Sequence, residues 1–474
     1  MKNPCLPTGR EELRNRFASR RMRMRGYKKK PVVANFQHFN NLNNQQLQHF
    51  NNLNNSTTST MQITIVGGGV IGLFSAWHLA KAGHEVSVVD KGDFSDNCSF
   101  GNAGMVTPSH FVPLAAPGVV AQGLRWMFRA DSPFYIRPRL NVELMKWLWR
   151  FYRSCNARQA EAAMPVLLDF NLLGKKGYLE FEKETGLDFK LRKEGILMLY
   201  KDAHVEKEEL EMAEKASALG LEPKVLTATE VADFEKGVEL DVRGGVFYPA
   251  DAYMYPNILM KLLKEKLGEK GVRFYPNTEI AGFELKGNKI GALKSSSQYF
   301  EADAFLIAAG SWTGKLLKKA GIHLPLQDGK GYSVTLKKPA HRPQHACILV
   351  EARVAVTPMG DDLRFAGTLE LSGLAAGVNR RRVQAILDSI PQYFPKFEMP
   401  QTDPGSAWYG YRPCTPDGLP YIGYLRKYEN LMVATGHAMM GLSLGPATGM
   451  LVEQLIAGNP DERYAKFFDP NRYL

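Results

Sequence analysis

At 474 residues and 45% hydrophobic content, the chain is long enough for two domains with substantial cores, and no apolar run reaches the roughly 18 residues that span a bilayer. Most of the +12 net charge sits in residues 1–60, where 11 Lys and Arg face two Glu; the remaining 49 basic and 46 acidic residues leave only +3. That balance gives no electrostatic footprint for DNA or RNA, and five scattered cysteines without a CxxC pair support neither a disulfide framework nor a metal site and fit a reducing cytosol.

Residues 1–60 join a basic stretch, with Arg20, Arg21, Arg23, Arg25 and Lys28 to Lys30, to an Asn/Gln-rich stretch, and neither can bury a core. A disordered extension is expected. The octet QHFNNLNN occurs twice, at 37–44 and 48–55, just ahead of Met61, which suggests upstream sequence translated from a start codon set too early. The competing reading is an organellar targeting peptide; Glu11, Glu12 and the missing apolar face count against it.

The stretch 62–90, QITIVGGGVIGLFSAWHLAKAGHEVSVVD, opens with an apolar run, passes through Gly67-x-Gly69-x-x-Gly72 and continues with Leu73, Ala76, Leu79 and Ala80 at helical spacing. Buried strand, glycine turn and helix make the first βα unit of a dinucleotide-binding domain. Gly67 permits the tight turn, Gly69 lets the backbone approach a pyrophosphate, and Gly72 lets the helix lie close on its strand. The helix is expected to stop at Gly83, and a second strand through Val86, Val88 and Val89 ends in Asp90. That acid lies eighteen residues past Gly72, where a side chain can hydrogen-bond the adenosine ribose, and it selects NAD or FAD over a 2′-phosphorylated cofactor.

The small-residue loop CSFGNAGM at 98–105 allows close approach to a flat ligand. Residues 119–156 then mix Trp126, Met127, Phe128, Trp147, Leu148, Trp149, Phe151 and Tyr152 with six arginines. Helix cores with solvated arginines outside are the ordinary outcome of such a stripe, and an interfacial membrane contact is the alternative. Helical patterns follow at 164–183, 204–219 and 251–267, with a strand-like stretch at 189–200 and strands over 272–283. The run AFLIAAG at 304–310 predicts a buried parallel strand ending on a glycine turn at the nucleotide crevice. Strand-like runs at 332–336, 346–351, 354–358 and 363–369, broken by Pro and Gly, predict a mostly antiparallel second sheet, followed by a helix over 380–393.

The expected architecture is therefore α/β: a Rossmann-like cofactor-binding domain over 61–118, 250–325 and 405–474, with an inserted α+β substrate domain over 119–249 and 326–404. The C-terminal block carries WYGYRPCTPDGLP at 408–420 and GHAMMGLSLGPATG at 436–449. The second is a loop opening a helix from about 444 to 456, whose N-terminal amides favour negative charge.

Taken together, the 62–90 fingerprint, the SFGNAG loop at 99–104, AAGSW at 308–312, GTLE at 367–370, the Arg412-Pro-x-Thr-Pro-Asp-Gly418 motif and Gly436-His437 resemble the FAD-dependent D-amino-acid oxidase superfamily. Within it the pattern is most similar to the bacterial D-amino-acid dehydrogenases. The resemblance implies FAD in the α/β domain, with Gly67, Gly69 and Gly72 at the pyrophosphate, Asp90 at the ribose and the Ile280 backbone at the adenine. It places Asn102, Ala103 and Gly104 near the isoalloxazine, Ala309 and Gly310 on the diphosphate side, and Gly436, His437, Gly441 and Leu442 along the pyrimidine edge. It assigns Arg412 to the substrate carboxylate, for which a guanidinium fork is the right tool. Tyr332, Tyr409 and His437 are candidates for contacting the amine or closing the pocket. Similar enzymes that attach flavin through cysteine carry it where this chain has Gly410, so non-covalent FAD is expected.

The implied reaction oxidises the CH–NH bond of a D-amino acid to an imine, which hydrolyses to a 2-oxo acid and ammonia, with electrons passing to a respiratory acceptor such as a quinone. A glycine, sarcosine or hydroxyproline oxidising enzyme is the alternative within the superfamily, and a non-catalytic nucleotide-binding protein the alternative outside it. The expected location is cytoplasmic, with a peripheral contact on the inner membrane face left open.

Overall fold

The computed structural model describes residues 59–118, 134–137, 139 and 141–474. The readings of the N-terminal extension up to residue 58, and of Trp126, Met127 and Phe128, fall outside them.

The sequence from Gln62 folds as its pattern dictates. Four buried residues of the strand Gln62–Val66 lead into Gly67, whose φ of +117° suits only glycine, and then into the helix Val70–Lys81. The strand is central in a six-stranded sheet ordered Tyr421–Tyr424, Leu431–Thr435, Ala304–Ile307, Gln62–Val66, Glu85–Val89 and Arg273–Tyr275. All neighbours run parallel except the first pair, which is antiparallel. Strands covered on both faces need continuous apolar runs, and Ala304–Ile307 and Leu431–Thr435 are buried at every position.

A second sheet runs in the order Trp408–Cys414, Gln327–Leu336, Asp362–Leu371, Val354–Met359, Ala346–Leu349, Ile196–Tyr200, Gly244–Tyr248 and Lys224–Thr227. It is mostly antiparallel, as the broken strand pattern predicts; Ala346–Leu349 pairs parallel with Ile196–Tyr200, and the short strand Phe134–Ile136 pairs parallel with Asp362–Leu371. The chain is thus an α/β protein with a second, mostly antiparallel sheet.

Four local expectations are corrected. Trp408–Cys414, expected within the cofactor-binding segment, pairs with Gln327–Leu336 in the second sheet and carries Arg412 there. The helix expected over 251–267 starts later, at Pro256–Glu269, because proline favours a helix's first turn and disfavours the α region before it. The C-terminal helix starts earlier, at Gly441–Ile456. The long helix Ala157–Thr185, expected with the substrate segment, packs on that C-terminal helix instead: a Cβ on Gly174 would lie 2.1 Å from the Ser443 carbonyl oxygen, and one on Gly177 would lie 2.5 Å from Pro446. Side-chain-free positions let the two backbones approach and close the core shared with Val70–Lys81.

Candidate cofactor and substrate site

The carboxyl ends of the parallel strands and one face of the second sheet enclose a cavity of about 1800 Å³. In an open α/β sheet ligands bind at those strand ends. Val66, Val89, Ala308 and Ala434 mark them here, and Gly331, Tyr332, Thr368 and Arg412 line the cavity from the second sheet.

Most residues singled out in the sequence meet in this space. Gly67, Gly69 and Asp90 line it with Asn102, Ala103 and Ile280; so do Ala309, Gly310, Tyr332 and Arg412, and also His437, Gly441 and Leu442. Gly72, Gly104 and Gly436 stand behind the wall. An added Cβ would lie 1.9 Å from the Gly67 oxygen, 2.3 Å from the Met254 oxygen and 2.4 Å from Thr415 Cγ2, respectively. Their work is packing.

The cavity residues fit a bound dinucleotide. Gly69 has an ordinary extended conformation, and a Cβ there would meet no protein atom nearer than Ser99 Oγ at 3.6 Å. Neither strain nor protein packing requires that glycine, whereas a phosphate lying against the backbone does. The Asp90 carboxylate accepts from Gly68 N at 2.6 Å and Gly92 N at 2.7 Å, which fixes its orientation while leaving lone pairs for hydroxyl donors. Lys91 lines the same cavity with its ammonium 3.4 Å from the Trp312 ring centroid, a positive charge suited to an anionic ligand.

The 98–104 loop is tied down from several sides. Ser99 Oγ accepts from Val70 N at 3.1 Å, Asn97 donates to Gly68 O at 3.0 Å, and Ser333 Oγ donates to Gly101 O at 2.8 Å. Arg364 donates to Asn102 O at 2.7 Å and to Thr335 Oγ1 at 3.0 Å; burial lowers its pKa to about 10. Sequence reasoning assigned no role to Ser99 or Arg364. A serine in a known loop motif offered a signal for the first, and an arginine in a strand offered none for the second.

Arg412 lies deep in the protein with part of its surface on the cavity, and burial lowers its pKa. Its guanidinium donates to the Thr368 carbonyl. Among the described residues it forms no ion pair with a carboxylate, and burial holds the neighbouring Cys414 thiol protonated, with its pKa pushed up to about 12. Gly331 makes room for it, since a Cβ there would lie 2.2 Å from Nη1. Thr368 has φ +70°, rare for a β-branched residue, where the register of its strand against Gln327–Leu336 shifts. Such strain gathers at ligand sites. A glycine inside a strand signals close approach in the sequence; nothing in the sequence signals a left-handed threonine.

Tyr332 and His437 are both placed at the cavity and both held. The Tyr332 hydroxyl donates to Glu370 Oε2 at 3.0 Å and accepts from Asn379 N at 3.3 Å, and burial raises its pKa. His437 is 4% exposed, with Nε2 3.0 Å from Thr448 Oγ1, and burial lowers its pKa to about 3. The loop carrying it is pinned to the Arg412 strand through Ala438 N, which donates to Pro413 O at 2.9 Å. Tyr409, by contrast, does not line the cavity.

A glycine turn and fixed acid at the ends of a parallel sheet, facing a sheet that presents an arginine with no acid partner among the described residues, define the site of a dinucleotide-dependent oxidoreductase. Residues 62–455 match the family described as FAD dependent oxidoreductase, and the chain belongs to it; FAD is its cofactor. It is 31% identical over 423 residues to a D-amino acid dehydrogenase of Neisseria meningitidis, covering 87% of this chain and 100% of that protein. It is 30% identical over 405 residues to a D-amino acid dehydrogenase of Helicobacter pylori, covering 85% and 97%. Glycine oxidase from Geobacillus kaustophilus shares the fold, with a TM-score of 0.70 at 23% identity over 88% of this chain and 100% of that one.

Proposed function

We propose that the enzyme oxidises D-amino acids to 2-oxo acids and ammonia and passes the electrons to a respiratory quinone at the inner membrane face. The observation that carries the reading is Arg412, a deep cation on the cavity without a carboxylate partner among the described residues. A buried charge lacking its counter-ion is costly, and a substrate carboxylate accepting two parallel hydrogen bonds removes that cost. The relatives named D-amino acid dehydrogenase give the substrate class.

Bound FAD supplies the two-electron acceptor. The substrate loses a hydride from Cα and a proton from nitrogen, and water then displaces ammonia from the imine. Arg412 fixes the carboxylate and so orients Cα, and positioning of this kind accounts for much of a rate gain. Tyr332 has its hydroxyl committed to Glu370 and Asn379, so it serves as wall. His437 stays neutral and supports the loop ahead of Gly441. Asn102, Ala103 and the Gly441 helix start would hold the flavin ring, Gly67, Gly69, Ala309 and Gly310 the diphosphate, Asp90 the ribose and Ile280 the adenine, since all of them line the cavity. The cofactor half takes segments 61–118, 157–185, 250–325 and 415–474, and the substrate half takes 186–249, 326–404 and the Arg412 strand Trp408–Cys414.

The test is anaerobic addition of D-alanine and other D-amino acids to the purified yellow protein, beside glycine, sarcosine and D-hydroxyproline. Bleaching by D-amino acids with release of 2-oxo acid is the expected result. Inertness toward all of them overturns the reading.

A further inference from the structure

The helix Val142–Ser154 touches both the cavity and solvent. On its inner side Trp147 is buried, stacks on Phe151 with centroids 5.1 Å apart, and donates its indole N–H to the Cys414 carbonyl at 3.0 Å, two residues from Arg412. Leu148, Phe151 and Tyr152 line the cavity. On its outer side Val142, Met145, Trp149 and Tyr152 are 70%, 62%, 58% and 66% exposed. Spaced three, four and three residues apart, they form one apolar stripe on a helix face. Tyr152 belongs to both sides and marks a cavity mouth.

The expected aromatic helix core is met by Trp147, Leu148 and Phe151, while Trp149 and Tyr152 depart from it. Exposed Lys146 and Arg153 flank the stripe, with the Arg153 guanidinium 4.9 Å from the Trp149 ring centroid. Its single acid, Glu143, is paired with Lys318 at 2.5 Å. Gly118 and Phe134 line the same cavity.

We propose that this helix face docks the enzyme on an anionic lipid bilayer. Met145, Trp149 and Tyr152 enter the interface, Lys146 and Arg153 meet the headgroups, and the mouth beside Tyr152 opens toward the acyl chains. An apolar stripe edged by cations is the pattern of an interfacial helix, and each cation near an anionic surface adds to binding. A second copy of the chain is a poorer occupant, because a two-fold contact would set the same uncompensated cations against one another. The placement deepens the proposed function, since a quinone acceptor is dissolved in that lipid.

The test floats the full-length holoenzyme with vesicles of phosphatidylcholine, alone or mixed in equal parts with phosphatidylglycerol, at low and high salt. High salt suppresses binding through the basic N-terminal residues, which depends on charge alone. The native protein is expected to stay on mixed vesicles at high salt, and Met145→Glu/Trp149→Glu to bind at least roughly tenfold less, with D-amino-acid turnover by a water-soluble dye unchanged. Release of the native protein at high salt, or equal binding by the variant, overturns the proposal. So does a variant that changes the mass in solution by light scattering while vesicle binding stays the same, which makes the stripe a contact between copies. Failure of native dye turnover with D-amino acids counts against the proposed function alone, because vesicle binding is read without substrate.

Discussion

The Tyr178 hydroxyl donates to the Leu442 carbonyl at 2.6 Å, at the position in helix Gly441–Ile456 where the backbone cannot. The regular donor would be residue 446, and that is a proline. The long helix therefore completes the hydrogen bonding of the helix that opens onto the cavity. Tyr178→Phe keeps the edge contact with Phe74, whose ring centroid is 5.2 Å away, but leaves a buried carbonyl without its donor. Stability is expected to fall by about 1–3 kcal/mol, read as a lower urea midpoint with unchanged slope. A variant as stable as the native protein would refute the account.

Arg412→Ala is expected to purify yellow and to lose kcat/KM by on the order of a hundredfold or more, because the carboxylate is no longer anchored. Arg412→Lys rescues little of it, since a point charge does not reproduce a planar fork. Steady-state kinetics beside the visible spectrum check both. Gly331→Ala reaches the same result from outside the arginine, through a Cβ 2.2 Å from Nη1 that pushes the guanidinium aside.

Gly69 and Gly72 part company when substituted. Gly72→Ala places a methyl 1.9 Å from the Gly67 oxygen and is expected to prevent folding of the first βα unit, seen as insoluble expression. A Cβ on Gly69 would meet no protein atom nearer than Ser99 Oγ at 3.6 Å, and Gly69→Val is expected to give a folded, colourless protein, checked by circular dichroism with the absorption spectrum. Yellow Gly69→Val protein would remove the diphosphate from that turn.

His437 makes the fold acid-sensitive. Its pKa falls from 6.5 to about 3 on folding, so between those values the unfolded chain holds a proton that the folded one does not. Stability contributed by the neutral imidazole is therefore full above about pH 6.5 and declines as pH falls toward 3. In His437→Gln the slope of stability against pH in that window is expected to be smaller by up to about 1.4 kcal/mol per pH unit. Denaturant titrations at pH 7 and pH 5 measure it. The same depressed value means no activity transition near neutrality arises from this residue.

The first βα unit was legible because turn, periodicity and terminal acid all lie within thirty consecutive residues and each has a local cause. The second sheet was legible in its strands and not in their order: its neighbours come from residues 134 to 414, and pairing across such distances leaves no local trace. Arg412 was found through its motif, whereas Thr368 and Gly331, which set its position, act through conformation and space. The aromatic stretch at 142–154 met the expected core on one side only, with Trp147, Leu148 and Phe151 packed inward and Trp149 and Tyr152 exposed, because helical spacing reports an apolar face without saying what it faces.

The last long helix fills the gap between Val70–Lys81 and Ala157–Thr185, where a Cβ on Gly449 would lie 2.4 Å from the Phe74 oxygen and one on Gly174 would lie 2.1 Å from the Ser443 oxygen. The earliest-made and the latest-made parts of this fold thus interlock at backbone distance. During synthesis the nucleotide-binding half must wait, apolar and half-built, until nearly all of the polypeptide has left the ribosome. Nascent chains halted before residue 441 should accordingly stay bound to chaperones and protease-sensitive, however complete their second sheet.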